Sequence, residues 1–452
     1  MMKKILPTQI QEKIKKEIIE ALKIDSGNIV QSISKGTENY FCIESAVIHD
    51  FNLETIKKYD LDFTNCVFRC KTIFDKSDIN FAFFNCSFDK TYIAYNQSIM
   101  EATLHFYHCK FLGDFYISNF IQGDFYAENC YFNNTYLAYS KLPEKTTFKN
   151  CNFQCGLNLQ NAHSSGLISF YGTTFFDCPN FSRIQFENIC LINTKLAFGY
   201  EKLEYEIIKT WQEESKYSSY VGGKHFVAND FRDSFRLFKN ILSKEGNILD
   251  ASDYHRMELY CKEIELDSKP QKSWRDRIDS LQLWFYRHLC NHHTDLLRVW
   301  NSLMYLIFIF GVLSFGAMAW FAYYFDDNFS LANYFDSTHL RIFYDSHIKI
   351  MIHKHPLRIW GINLGFIALF LFLFLGLTSK ICRWIFVIPS YLVSIGMFAI
   401  SPKLLIPAIG FFTDKREILD PLSIVGGAYT LLFGLIAYSL IKTARKNSII
   451  PS

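Results

Sequence analysis

The sequence lacks the marks of a familiar catalyst. It has no Gly-rich phosphate loop, no nucleophile elbow and no His-Glu-x-x-His helix. Nucleotide hydrolysis, serine-type acyl transfer and zinc-dependent hydrolysis therefore have no local signature. The chain is read as a non-enzyme, with no catalytic, cofactor or metal residues expected. An excess of one charge is also missing. Lys+Arg total 47 against 44 Asp+Glu, a net charge of +3, which excludes the strongly basic balance of a nucleic-acid binder. The first residues are basic but contain no apolar run of about 7–15 residues of the kind a secretory signal carries. The 13 Cys, an odd number, are therefore expected to stay reduced, and disulfides are not their expected use.

Four stretches lack charge altogether: Leu303–Phe325, Ile359–Thr378, Trp384–Ile400 and Leu422–Ile441. Each is about long enough to cross a ~30 Å hydrocarbon core as a helix, the third only marginally. The lipid bilayer is thus the first expected partner. The interiors carry no Lys, Arg, Asp or Glu, whereas proton relays and carriers of charged substrates usually keep one. Asn363 and Tyr429 are polar enough to line a passage.

Orientation follows from the basic flanks. Arg275, Arg277, Arg287 and Arg298 precede the first run, Lys380 and Arg383 separate the second and third, and Lys442, Arg445 and Lys446 follow the fourth. With four crossings these flanks share one side, so both termini are expected in the cytoplasm. The 326–358 loop, with Arg341, Lys349, Lys354 and Arg358, weakens the bias. Trp300, Trp320, Trp360 and Trp384 fall near the ends of runs, where interfacial anchors belong.

What is abundant is phenylalanine, with 45 residues. In the first half it recurs in a repeat. Phe63–Phe68, Phe83–Phe88, Phe106–Phe111, Ala127–Phe132, Phe148–Phe153 and Phe170–Phe175 align as six-residue units. Their last Phe recurs after 20, 23, 21, 21 and 22 residues. About 21 residues are too few for a helix pair with turns but fit one coil of a β-solenoid. Stacked coils place like on like, and each buries its neighbour's apolar edge. Phe68, Phe88, Phe111, Phe132, Phe153 and Phe175 are the expected core column. Cys66, Cys86, Cys109, Cys130 and Cys151, two positions earlier, are expected as small inward hydrophobes. A metal reading of the Cys66/Cys70 and Cys151/Cys155 pairs lacks a second close pair of ligands beside either.

A small residue two positions before Leu or Phe resembles the repeat of the pentapeptide-repeat family. Cys66–Phe68, Cys86–Phe88, Cys109–Phe111, Cys130–Phe132, Cys151–Phe153 and Thr173–Phe175 carry the resemblance. It implies a right-handed quadrilateral β-helix over 40–195. Phe74, Phe115, Phe120 and Leu142 fit only with insertions, so coils longer than 20 residues imply bulges at corners. Some members of that family mimic DNA on a strongly acidic surface. Residues 61–193 hold 11 Asp/Glu and 9 Lys/Arg, so mimicry is not expected. The resemblance also implies self-association, end to end.

The remaining segments read as caps and connectors. Residues 1–39 carry a helix with Thr8 at its start and Ile10, Ile14, Ile18 and Leu22 at helical spacing, expected to close the open edge of the solenoid. Residues 196–298 form an α-helical connector. Its hairpin turns Phe231, Phe235, Phe238 and Leu242 toward Ala251, Tyr254, Met257, Cys261 and Ile264. Similar hairpins follow pentapeptide repeats in some bacterial membrane proteins. His288, Cys290, His292 and His293 are expected as polar groups at a membrane interface, with His288 and His292 able to share a helical face.

Residues 299–452 are the expected transmembrane domain. Some pentapeptide-repeat proteins end in an ion-channel module, and Ile406–Asp414 distantly resembles a potassium filter. Phe412 stands where the filter's second Gly belongs, and Gly is what permits carbonyls to point inward there. The sequence therefore points first to a scaffold in a bacterial inner membrane that presents its solenoid to an unidentified protein partner. A channel or transport protein gated by its soluble domain is the second expectation.

Overall fold

The computed structural model describes residues 8–31, 40–51, 60–74, 80–93, 103–118, 123–217, 222–325, 337–400 and 420–447. The run that resembles a filter lies outside them, as do Ile10's side chain and Phe120. The chain divides into two compact units, 1–280 and 281–452.

The first unit contains a parallel β-solenoid of about six turns over residues 41–196. Each coil lays one strand in each of two parallel sheets. In one sheet Phe68, Phe88, Phe111, Phe132, Phe153 and Phe175 occupy the same register position, coil after coil. Ile48 continues the column below and Leu196 above. Neighbouring rings stack with centroids 4.5 to 5.5 Å apart, the coil-to-coil spacing of hydrogen-bonded strands. Each ring is fully buried, worth about 2–3 kcal/mol from apolar area alone.

In the other sheet Ile43, Phe63, Phe83, Phe106, Ala127 and Phe148 are aligned. Ala127 leaves room, and Phe125 fills it from the same strand, 5.8 Å from Phe106 and 5.2 Å from Phe148. The uneven coil lengths are absorbed as register shifts, at Phe68/Lys71, Phe88/Thr91 and Phe132/Asn134.

Both ends are covered. Helix α1 (Thr8–Leu22) buries Ile14, Ile18 and Leu22 in the solenoid core, and Ile29–Gln31 pairs antiparallel to Phe41–Ile43 along the first edge. At the far end come α2 (Tyr200–Tyr217), α3 (Lys224–Lys244) and α4 (Ile248–Ser268). Phe238 of α3 meets Phe181 edge-on at 4.7 Å, and the Tyr254 hydroxyl lies 3.0 Å from that of Thr194. The hairpin stripes Phe231–Leu242 and Ala251–Ile264 are buried against this end and each other.

Helix α5 (Trp274–Cys290) runs across the boundary between the units. The second unit then holds α6 (Leu296–Tyr324), short helical turns over 337–354, α7 (Pro356–Leu375), α8 (Lys380–Ile400) and α9 (Pro421–Asn447). Four helices are long and apolar enough to span a membrane. Helix α6 is the most enclosed of them and packs against α7, α8 and α9. It begins seven residues before its apolar run because the Asp295 carboxylate accepts the Arg298 amide at 2.9 Å, a side-chain N-cap.

Candidate functional site

The repeat residues serve the core and leave the outward positions of the same strands to other side chains. The Asn-Cys dipeptides explain how each coil turns. Asn65, Asn85, Asn129 and Asn150 adopt φ between 52 and 55°, His108 takes 57° and Gly172 takes 68°. Asn tolerates this left-handed conformation better than most residues. The turn aims the next residue inward, so Cys66, Cys86, Cys109, Cys130 and Cys151 are all buried. Each thiol lies 3.4 Å from a carbonyl of the preceding coil, that of Ile43, Phe63, Phe83, Phe106 and Ala127 in turn. A thiolate could not donate there, and burial pushes the Cys109 and Cys151 thiols well above their ordinary range. Cys109 and Cys151 are therefore neutral donors.

Two aromatic ladders decorate the outside. Phe84 and Tyr107 stack at 5.0 Å, and Tyr126 leans on Tyr107 at 5.6 Å. His105 lies beside Tyr126 at 5.8 Å. The ladder ends on polar groups: the Tyr126 hydroxyl donates to Glu128 at 2.7 Å, and Lys149 pairs with Glu128 at 2.8 Å. On the other sheet Tyr92, Tyr116 and Tyr136 stack at 4.8 Å each, with the Lys71 ammonium over the Tyr92 ring. Phe84 and Tyr136 are 37% and 38% exposed. Sequence reasoning passed over these residues. The available signal was their offset: Phe84 and Tyr107 each stand two before a core Cys.

The α3–α4 hairpin carries a second polar cluster that the sequence reading missed. Arg236 and Lys239 each donate to Glu258 at 2.8 Å, and His255 lies 3.0 Å away. Burial alone would raise the Glu258 carboxyl. Hydrogen bonds from His255, Lys239 and Arg236 outweigh it and hold the group at about 2. Arg232 bridges to Glu265, which Lys262 also contacts at 2.9 Å.

The His-rich segment is a turn instead of a continuous helix. Asn291, His292 and His293 all take positive φ, so His288 and His292 share no helical face. The Cys290 sulfur accepts the His293 amide at 3.2 Å, and His288 contacts the Trp284 carbonyl. Among the described residues no three His, Cys, Asp or Glu side chains form a metal-binding group.

Hydroxyls inside the second unit mostly bond to their own helix. Among the described residues, hydroxyl bonds that cross between helices include Ser302 to the Leu289 carbonyl, Tyr305 to the Leu373 carbonyl, Tyr391 to Asn301 and Ser394 to the Met304 carbonyl. Compared with protein-family models, curated proteins and solved structures, the chain finds no match in any of the three.

Proposed function

We propose that this protein is a membrane-anchored scaffold of the pentapeptide-repeat type, whose solenoid binds a protein partner through its lateral faces. The carrying observation is the Phe84–Tyr107–Tyr126 ladder, a row of aromatic groups fixed on a stiff sheet with a charged rim at Glu128 and Lys149. Aromatic groups held in place lose little entropy on binding and dominate interface energies. Coverage of both solenoid ends by α1 and by the α3–α4 hairpin directs a partner, or a second copy, to the sides.

The four span-length helices supply the anchor. Trp300 and Trp320 stand 20 residues apart on α6, which is ~30 Å of helix, the thickness of a hydrocarbon core. Trp384 shares the Trp300 end and Trp360 the other, if successive spans alternate in direction. With the same alternation Lys380, Arg383, Lys442 and Arg445 fall at the Trp300 end, and this basic bias supports the cytoplasmic side of a bacterial inner membrane for that end.

The test uses the full-length protein with a photocrosslinking side chain in place of Tyr107. A scaffold gives one recurrent protein adduct in cells, lost in a Phe84→Ser/Tyr126→Ser variant that keeps its β-type circular dichroism. Absence of any such adduct, together with selective ion flux from the same protein in liposomes, would overturn the reading and favour a channel.

A further inference from the structure

Helix α5 carries an apolar stripe whose N-terminal half is exposed. Trp274, Ile278, Leu281, Phe285 and Leu289 fall at helical spacings of four, three, four and four, which places them on one stripe. The stripe changes character along its length. Leu289 is buried and Phe285 half-buried among the helices of the second unit, with the Phe285 ring 6.2 Å from Phe374 at the end of α7. Toward the N-terminus the same stripe opens, and Leu281, Ile278 and Trp274 are 63%, 63% and 80% exposed.

The charges are arranged around this stripe. At about 100° per residue, Arg275 and Arg277 fall on its two flanks, and Asp276 and Asp279 on the opposite side. Arg277 lies over the Trp274 ring at 5.2 Å. Asp276 is held on the far side by Lys269 at 2.9 Å and by the Ser273 amide and hydroxyl. Over the exposed N-terminal turns, the apolar centre, cationic edges and acidic back form the pattern of a helix that lies in a membrane surface.

We propose that α5 lies in the headgroup–acyl boundary of the bilayer, with its apolar stripe in the lipid and Arg275 and Arg277 on lipid phosphates. The proposal rests on the membrane reading above and adds an in-plane element to it. Continuity favours lipid over a protein occupant. The stripe's closed end abuts the terminus of a span-length helix. Trp384, 84% exposed, opens α8 just after α7 ends, and exposed Trp at a span end marks the interfacial layer. A stripe that leaves the helix bundle there runs along the layer where Trp and Arg are both favoured.

The experiment places a benzophenone side chain at one position at a time in the full-length protein, reconstituted in liposomes with anionic phospholipid. Position 372, where Phe372 is 71% exposed on α7, reports whether the spans face lipid. Position 281 reports on α5. Position 249, exposed on the solenoid-capping helix α4, reports background. The expected result is lipid adducts at 372 and 281, several-fold above those at 249. Lipid adducts at 372 with background or protein adducts at 281 would overturn the α5 proposal and leave the membrane reading standing. Background at both 372 and 281 would overturn both. In the supporting case, Arg275→Gln/Arg277→Gln should lower the yield at 281 in anionic liposomes and leave that at 372 unchanged.

Discussion

The thiol of Cys151 lies 3.4 Å from the carbonyl oxygen of Ala127 one coil away, and the hydroxyl of Thr173 makes the same contact with Phe148 at 3.0 Å. The position therefore selects a small donor, and sulfur chemistry is incidental to it. Cys151→Thr is expected to change stability by about 1 kcal/mol or less, whereas Cys109→Leu overpacks the column and costs about 1–3 kcal/mol. Thermal melting of the full chain checks both. A thiol reagent should label exposed Cys155 in the native protein and reach Cys66, Cys86, Cys109, Cys130 and Cys151 only after denaturation.

Phe153 stacks between Phe132 and Phe175 and is fully buried. Phe153→Leu keeps an apolar side chain and should cost about 1–2 kcal/mol. Phe153→Asp places an unpaired carboxylate in the column at a cost of several kcal/mol. We expect the β-type circular dichroism of the soluble region to be lost. An unchanged spectrum and melting temperature would refute the stacked-core account.

Gly113 sits where a corner crosses the coil before it. A Cβ there would collide with the carbonyl of Asp89, a backbone group that cannot swing away. Gly113→Ala should force the two coils apart and lower stability by roughly 2–4 kcal/mol, comparable to other core overpacking. Denaturant titration would show it as a lower midpoint. Gly27→Ala, with open space around it, is the control that should change little.

Glu258 gives the α3–α4 hairpin a defined acid response. Its carboxyl is held at about 2 against an ordinary 4.5. A depressed folded value means that the stabilisation is fully present above 4.5 and is lost as the pH falls from there through about 2. Screening at this partly solvated cluster limits it to roughly 1–2 kcal/mol. Glu258→Gln should lower the melting temperature at pH 7 and flatten its decline between pH 4.5 and 2. An acid limb of unchanged steepness would remove Glu258 from the account.

Much of the fold was legible because its signals are local and periodic. The recurring Phe of Phe68 to Phe175 follows from the need of each coil to bury its neighbour's edge. The long charge-free runs follow from the length of a helix that must cross lipid. The start of α6 was less legible, because hydropathy reports the apolar run at Leu303 and the helix begins at its cap, Asp295. The turn at Asn291–His293 was missed for a related reason. Asn291 is a turn signal, but His292 and His293 carry none, and only the backbone angles reveal three left-handed residues in a row.

The sequence by itself determined the solenoid, its core column and the four span-length helices, since burial of apolar surface at a fixed period leaves few alternatives. Only the tertiary structure decided which residues face outward together. The Phe84–Tyr107–Tyr126 ladder joins residues 19 to 42 positions apart, through a register set by every bond of the intervening coils. Closure of the far end by Phe238 and Tyr254 depends on the α3–α4 hairpin folding back onto Phe181 and Thr194. These end contacts carry no periodic signal, because each is made once.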